Sequence, residues 1–237
     1  MPTAELAGER VTLRGPEGKH ASTVRRLAPG ERVDITDGAG QVAECVVAAS
    51  RPAELDLTVC ARRAEPAPEP RLAVLQAIPK GDRGELAVEL LTEAGADVIV
   101  PWAAQRSVAI WRGDRGSRSR ARWVSAAQEA AKQSRRSWFP EVTEQADFSA
   151  AARRISAAAL AIVLDPDAAE PLTAAAVPAK GEIVLVVGPE GGISPAENDA
   201  FAAAGAVTAR LGPTVLRASS AGAVAVGVLL SRTARWA

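Results

Sequence analysis

Gly188, Gly191 and Gly192 stand close together, with Pro189 and Glu190 between them. A loop this poor in bulky side chains lets a ligand approach the backbone closely, because glycine carries no Cβ. The flanking residues show what would hold it. Residues 183–187 form an apolar, mostly β-branched run, the mark of a buried strand. Ser194 and Glu197 have the spacing of a capping box, with Pro195 at the first helical position. Strand, glycine loop and capped helix N-terminus, in that order, are how parallel α/β sheets hold small ligands. A second loop of the same kind follows, in which Leu211, Gly212, Pro213, Thr214, Val215, Leu216 and Arg217 lead into the small-residue stretch 218–227. A single loop of this sort is usually only a turn. Two in succession, each with its flanks, are a specific pattern.

Other chemistries find no footing. The chain has neither the Gly-x-Gly-x-x-Gly dinucleotide fingerprint nor the Gly-x-x-x-x-Gly-Lys-Ser/Thr phosphate loop. One histidine, His20, and two cysteines, Cys45 and Cys60, lack metal-ligand spacing, so no metal site is expected. The cysteines read as small buried apolar residues. The first ten residues carry no apolar signal core. The longest plainly apolar run, 221–230, is about half of what a membrane span needs, so no membrane partner and a cytoplasmic location are expected.

Charge points to a partner. The 237 residues carry no net charge, yet residues 106–136 hold eight arginines and one lysine against Asp114 and Glu129, a net of +7. Residues 139–200 carry a net of −7. A basic segment in a neutral chain fits a polyanion, although a solvated helix face balanced by acids elsewhere is the plainer alternative.

The positioning elements fall into two parts. Short strands at 32–38, 42–47 and 55–60, with a hairpin signal at Asp37-Gly38, predict a small β-barrel. The alternating prolines of 64–70 predict a stiff linker. Beyond it, a strand at 72–78, a helix at 85–94 and a strand at 98–100 make a β-α-β unit, so a parallel α/β sheet is expected. A helix at 123–134, strands at 159–164 and 183–187, and a last helix at 220–232 complete the pattern. The expected domains are 1–68 and 71–237.

The order of motifs resembles the bacterial ribosomal RNA small subunit methyltransferase E family, the 16S rRNA uracil-N3 methyltransferases. The resemblance runs nearly end to end. It rests on Gly18-Lys19-His20 with Val24-Arg25-Arg26-Leu27 and Pro29-Gly30, on Lys80-Gly81-Asp82-Arg83 with Glu93-Ala94-Gly95, on Arg106-Ser107-Val108, and on the stretch from Glu129 to Arg136. Gly188-Pro189-Glu190-Gly191-Gly192 and Leu211-Gly212…Leu216-Arg217 are its most specific parts. There are two departures: Ser219-Ser220 stands where the family often has Glu-Thr, and Leu90 where it often has Lys.

The resemblance implies an N-terminal PUA-like β-barrel and a C-terminal α/β domain of the SPOUT class with a trefoil knot. It also implies S-adenosyl-L-methionine as methyl donor, 16S rRNA in the small ribosomal subunit as partner, and a homodimer. On this reading Leu164, Asp165, Val187, Gly188, Pro189, Glu190, Gly191, Gly192, Ile193, Leu211, Gly212, Pro213, Leu216 and Arg217 form the cofactor site. Arg217 is the candidate to stabilise a uracil anion, with a salt bridge or backbone clamp as the alternative. Glu190 is the candidate to orient the cofactor amine, touch the base or accept a proton, or else to satisfy a helix N-terminus. Glu197 reads as the capping acid. Arg25, Arg26, Arg83, Arg106, Arg112, Arg135 and Arg136 are candidates for RNA phosphates. Trp111 and Trp123 are candidates to stack on bases, or else core residues. A non-catalytic RNA-binding protein and a methyltransferase of another RNA are the competing functions.

Overall fold

A computed structural model of the chain describes residues 6–81 and 83–236; Asp82 of the Lys80-Gly81-Asp82-Arg83 motif, residues 1–5 and Ala237 lie outside the described residues. Two compact units result, 6–67 with 136–138, and 68–135 with 139–236.

The first unit contains β1 (Arg10–Leu13), α1 (Gly15–Lys19), a π-helical turn (His20–Val24), β2 (Arg32–Thr36), β3 (Gln41–Arg51) and β4 (Glu54–Ala64). The strands form an antiparallel sheet in the order β1-β4-β3-β2. The hairpin expected at Asp37-Gly38 joins β2 to β3, and Asp37 Oδ1 closes it by accepting from the Ala39 and Gln41 amides at 2.7 and 3.1 Å. β3 shifts register at Glu44/Cys45 and Val47/Ala49, bulges of the kind that bend a strand. Ala43, Cys45, Val47, Leu55 and Leu57 form its core. Cys60, expected to be buried, is exposed; only Cys45 has the interior place. Cys60 lies in the part of β4 whose outer residues face water.

Residues 136–138 belong to this unit, which a division at the proline linker alone does not assign to it. Trp138 bridges Ala39 and donates its indole N–H to the Glu65 carbonyl at 3.0 Å. The Gly40 amide donates to the Ser137 carbonyl at 3.1 Å.

The second unit comprises β5 (Arg71–Ala77), α2 (Arg83–Ala94), β6 (Val98–Trp102), α3 (Gly113–Gln133), β7 (Glu141–Val142), α4 (Phe148–Ala157), β8 (Leu160–Leu164), β9 (Glu182–Val187), α5 (Pro195–Ala203), β10 (Val207–Ala209) and α6 (Ala218–Leu230). All six strands run parallel, in the order β10-β8-β9-β5-β6-β7. The pleat sorts alternate residues to opposite faces. Leu72, Val74, Ile183, Leu185 and Val187 pack with α2, α3 and α6 on one side. Ala73, Leu75, Val184 and Val186 pack with α4 and α5 on the other. Burial on both faces is why these strands read as continuous apolar runs.

Four elements depart from expectation. α3 begins at Gly113, ten residues before the start of the helix expected at 123–134. Its first half carries no apolar stripe to read, because Ser119 is the only buried residue there. Strands β7 and β10, of two and three residues, are too short to show a period. Helix α4, capped by Asp147 Oδ1 accepting from the Ala150 amide at 2.8 Å, is ten residues long and buries only Ala151 and Ile155, an apolar face of one pair.

Candidate functional site

Because every strand of the second unit is parallel, the loops that follow β5, β6, β8, β9 and β10 all leave the same, carboxyl, edge of the sheet. That edge is where open α/β sheets bind ligands. Both glycine loops and Asp165 are therefore brought together there.

The first loop, 188–194, is a tight turn. The Gly192 amide donates to the Pro189 carbonyl at 2.9 Å, and Gly192 itself has φ +73°, a left-handed conformation that glycine adopts without strain. Its far end is the expected capping box: Ser194 Oγ accepts from the Glu197 amide at 3.3 Å, and Glu197 Oε2 accepts from the Ser194 amide at 2.9 Å. Glu197 does a second thing. Its Oε1 accepts from the Gln105 amide at 2.7 Å, fastening the segment after β6 to the loop after β9. Arg106 completes the junction, donating to the Gly191 carbonyl at 3.2 Å. A Cβ on Gly191 would stand 3.3 Å from the Arg106 carbonyl oxygen, so the two segments are packed backbone to backbone.

The second loop is held differently. Arg210 donates to the Ala168 carbonyl at 2.9 Å and to the Ala169 carbonyl, and the Leu172 amide donates to the Arg210 carbonyl at 2.8 Å. The loop carrying Asp165 is thus zipped to the start of 210–217. Asp165 spends one carboxylate oxygen on the Asp167 amide at 2.9 Å, shaping its own turn. Gln76, fully buried at the end of β5, donates to the Ala218 carbonyl at 3.3 Å and to the Ala77 carbonyl at 3.0 Å. It pins the first residue of α6 to the sheet, and its Oε1 is buried without a hydrogen-bond partner.

Within this frame the candidate residues divide. Glu190, Pro213, Leu216 and Arg217 are exposed, while Leu164, Ile193, Leu211 and Gly212 are half-buried. Val187 is buried, and its carbonyl already accepts from the Trp102 indole at 3.2 Å. Arg217 occupies the N-cap of α6, its carbonyl accepting from the Ser220 and Ala221 amides at 2.9 Å each. A Cβ on Gly212 meets nothing within 4 Å. Internal packing does not require glycine there; the open space lies over the loop's backbone, which fits a ligand gripped through main-chain groups.

Two adjacent regions of the chain match family models. Residues 66–230 match the RNA methyltransferase domain, and residues 13–60 match the RNA methyltransferase PUA domain. The ribosomal RNA small subunit methyltransferase E of Mycobacterium tuberculosis is 44% identical over 240 residues, covering 100% of this chain and 92% of the relative. The chain belongs to the ribosomal RNA small subunit methyltransferase E family.

Two solved structures share the fold of this family member. A methyltransferase from Legionella pneumophila in complex with the cofactor S-adenosylmethionine superposes with TM-score 0.84 at 23% identity, covering 95% of this chain and 93% of the other. A ribosomal RNA small subunit methyltransferase E from Neisseria gonorrhoeae bound to S-adenosyl methionine gives 0.82 at 22%, covering 94% and 92%. The architecture is thus a PUA-like N-terminal domain followed by a parallel α/β methyltransferase domain.

The arginines of the family resemblance do not gather in one unit. Arg25 and Arg26 are exposed on the first unit, while Arg83, Arg112 and Arg135 are exposed on the second. Arg106 is drawn to the glycine loop. Arg136 is half-buried and donates to the Trp138 carbonyl at 2.9 Å, serving the fold of the first unit. Trp123 is buried, and a Cβ on Gly84 would stand 2.6 Å from its indole nitrogen, so it is core and does not stack on a base. Trp111 is half-buried, edge-on to Trp123 with centroids 4.9 Å apart. Sequence reasoning missed Gln76 and the second bond of Glu197. A glutamine inside an apolar strand was the available signal for the first; nothing local signalled the second.

Proposed function

We propose that this protein transfers the methyl group of S-adenosyl-L-methionine to N3 of a uridine in the 16S rRNA of the small ribosomal subunit. The observation that carries the reading is the end-to-end kinship with relatives named ribosomal RNA small subunit methyltransferase E; the N3 position rests on the family resemblance of the motifs. The cofactor bound in the two structural neighbours, and two backbone-built loops on one carboxyl edge, support it.

The cofactor supplies an electrophilic methyl on sulfonium sulfur. Loops 188–193 and 211–217, with Leu164 and Asp165, grip it, mainly through backbone groups and apolar contact. As the new N3–C bond forms, the S–C bond breaks and the N3 proton leaves. The chain's task is positioning and charge stabilisation. Arg217 at the N-terminus of α6 places a guanidinium beside the positive end of the helix dipole, a site suited to a uracil anion. Glu190, exposed in the first loop, is the group to accept the proton or orient the cofactor amine. Exposed arginines of both units take phosphates, Arg25 and Arg26 on one and Arg83, Arg112 and Arg135 on the other. A homodimer belongs to the same proposal; exposed Val215, Leu216 and Val224 offer apolar surface for it.

The test is transfer from labelled S-adenosyl-L-methionine to small subunits lacking the modification, with the labelled nucleoside identified. N3-methyluridine is the expected product. Cofactor binding without transfer would point to another RNA. Neither binding nor transfer would leave a non-catalytic RNA-binding protein.

A further inference from the structure

A cavity of 380 Å³ opens on the second unit, apart from both glycine loops. Its walls come from Ile78 and Pro79 after β5, from residues 108–111 after β6, and from the first turns of α3. The size falls in the range of roughly 300–1,000 Å³ usual for small-ligand sites. Two of its lining side chains, Val108 and Ile110, are β-branched and 68% and 57% exposed. The half-buried Trp111 stands beside them. Adjacent apolar side chains held in water mark a contact surface.

The polar part of the wall has a defined pattern. Arg122 Nε meets Glu85 Oε1 at 2.8 Å, and both residues line the cavity. The pair sets a guanidinium, whose Nη2 also donates to Ser119 Oγ at 3.4 Å, beside a carboxylate. An acceptor beside a donor is its complement, an edge that nucleobases offer: C=O beside N–H in uracil and guanine, a ring nitrogen beside an amino group in adenine and cytosine. Arg115 also lines the cavity, and exposed Arg112 and Arg118 lie on the same basic segment, where phosphates can be met. Single-stranded RNA is read in this way, with a splayed base against apolar or aromatic side chains and hydrogen bonds to its edge.

We propose that this cavity is a subsite for one unpaired nucleobase flanking the methylated nucleotide. It deepens the rRNA methyltransferase reading and rests on it. The base lies against Trp111, Val108 and Ile110, with an edge acceptor toward Arg122 and the neighbouring edge donor toward Glu85. Arg106 joins the two sites physically. It begins the segment that lines the cavity and bonds to Gly191 of the first glycine loop, so flanking and target nucleotides sit on neighbouring supports.

The test compares wild-type protein with Ile110→Glu and Glu85→Gln. Ile110 is exposed and outside the cofactor loops, so the first variant keeps the fold. Both should raise the KM for small subunits about tenfold or more, the loss expected for one base contact, with cofactor affinity unchanged. In parallel, a single-stranded oligoribonucleotide carrying one 4-thiouridine is photocrosslinked to the wild-type chain. Crosslinks should fall on residues 108–123 and be competed by unmodified single-stranded oligoribonucleotides. Unchanged KM in both variants, or crosslinks lying only elsewhere, overturns the subsite. If wild-type protein transfers no methyl group to small subunits, the enzymatic reading fails instead, and crosslinking still decides whether the cavity takes a base.

Discussion

Glu197 is the side chain on which the geometry of the first glycine loop most depends, and replacing it gives a measurable consequence. Its carboxylate is buried and accepts two backbone N–H groups, from Ser194 at 2.9 Å and from Gln105 at 2.7 Å. Hydrogen bonds to charged groups contribute about 1.5–3 kcal/mol each, and a buried donor left without a partner costs about 1–3 kcal/mol. Glu197→Ala strands both donors, and the two losses share one side chain, so a destabilisation of about 3–4 kcal/mol is expected. Glu197→Gln has one carbonyl oxygen for two donors, and its amino group faces the N–H it cannot serve; about 2 kcal/mol is expected. Guanidinium denaturation followed by tryptophan fluorescence reads both values. The second consequence is local. Freeing Gln105 loosens Arg106 and with it the Gly191 carbonyl, so cofactor affinity, measured by calorimetry in native buffer, should fall about tenfold in Glu197→Gln. A Glu197→Gln protein within about 0.5 kcal/mol of wild type, with unchanged cofactor affinity, would refute the claim that this carboxylate ties the two segments together.

Three further outcomes follow from single sites. Gly192→Ala places a Cβ on a residue at φ +73° and should cost about 1 kcal/mol in denaturation, whereas Gly212→Ala, with open space and ordinary φ, should leave stability unchanged and weaken cofactor binding. Asp97 holds Arg235 through contacts of 2.6 and 3.1 Å and accepts from the Leu72 amide at 2.9 Å, so Asp97→Ala should destabilise by about 3–5 kcal/mol, and adding Arg235→Ala should cost less than the sum of the single changes. Burial, with the neighbouring Cys60 and Asp34 adding to it, pushes the Cys45 thiol up to about 11, so at pH 8 a disulfide reagent should titrate one thiol, Cys60, in native protein and both after unfolding.

Local features were legible in the sequence and long-range ones were not. The capping box, the Asp37 hairpin and the β9 strand each depend on residues a few positions apart, and each formed where its pattern lay. The carboxyl-edge placement of both loops followed from one inference, that β-α-β units give parallel strands. What stayed hidden were bonds across long stretches of chain: Glu197 to Gln105, Gln76 to Ala218, Arg210 to Ala168. A carboxylate spaced for a capping box has an explanation already, so its free oxygen draws no notice. The start of α3 failed for another reason. Arginine and serine on a helix that buries only Ser119 in its first half look the same as a basic loop.

These hidden bonds share a design. The residues proposed to meet the ligand, Glu190, Gly212 and Arg217, are exposed or half-buried, and a Cβ on Gly212 would meet nothing within 4 Å. The residues that fix where those groups stand, Gln76, Arg106, Glu197 and Arg210, each hydrogen-bond a backbone carbonyl or amide of the segments around the loops. A site gripped through main-chain groups needs its backbone held within fractions of an ångström, which side-chain anchors from neighbouring loops supply. Such a site tolerates exchange of a helix side chain as long as the anchors stay. That accounts for how Ser219 and Ser220 can stand at positions where the family resemblance would place Glu and Thr. The start of α6 is fixed by Gln76 on the Ala218 carbonyl and by the Arg217 carbonyl on two amides, and neither bond uses the side chain of residue 219. Gln76→Leu, which keeps the volume and removes the donor, should therefore disturb cofactor binding more than Ser219→Ala does. The reverse order, read in the same calorimetric assay, would mean that the residue 219 side chain and not the buried glutamine sets the second loop.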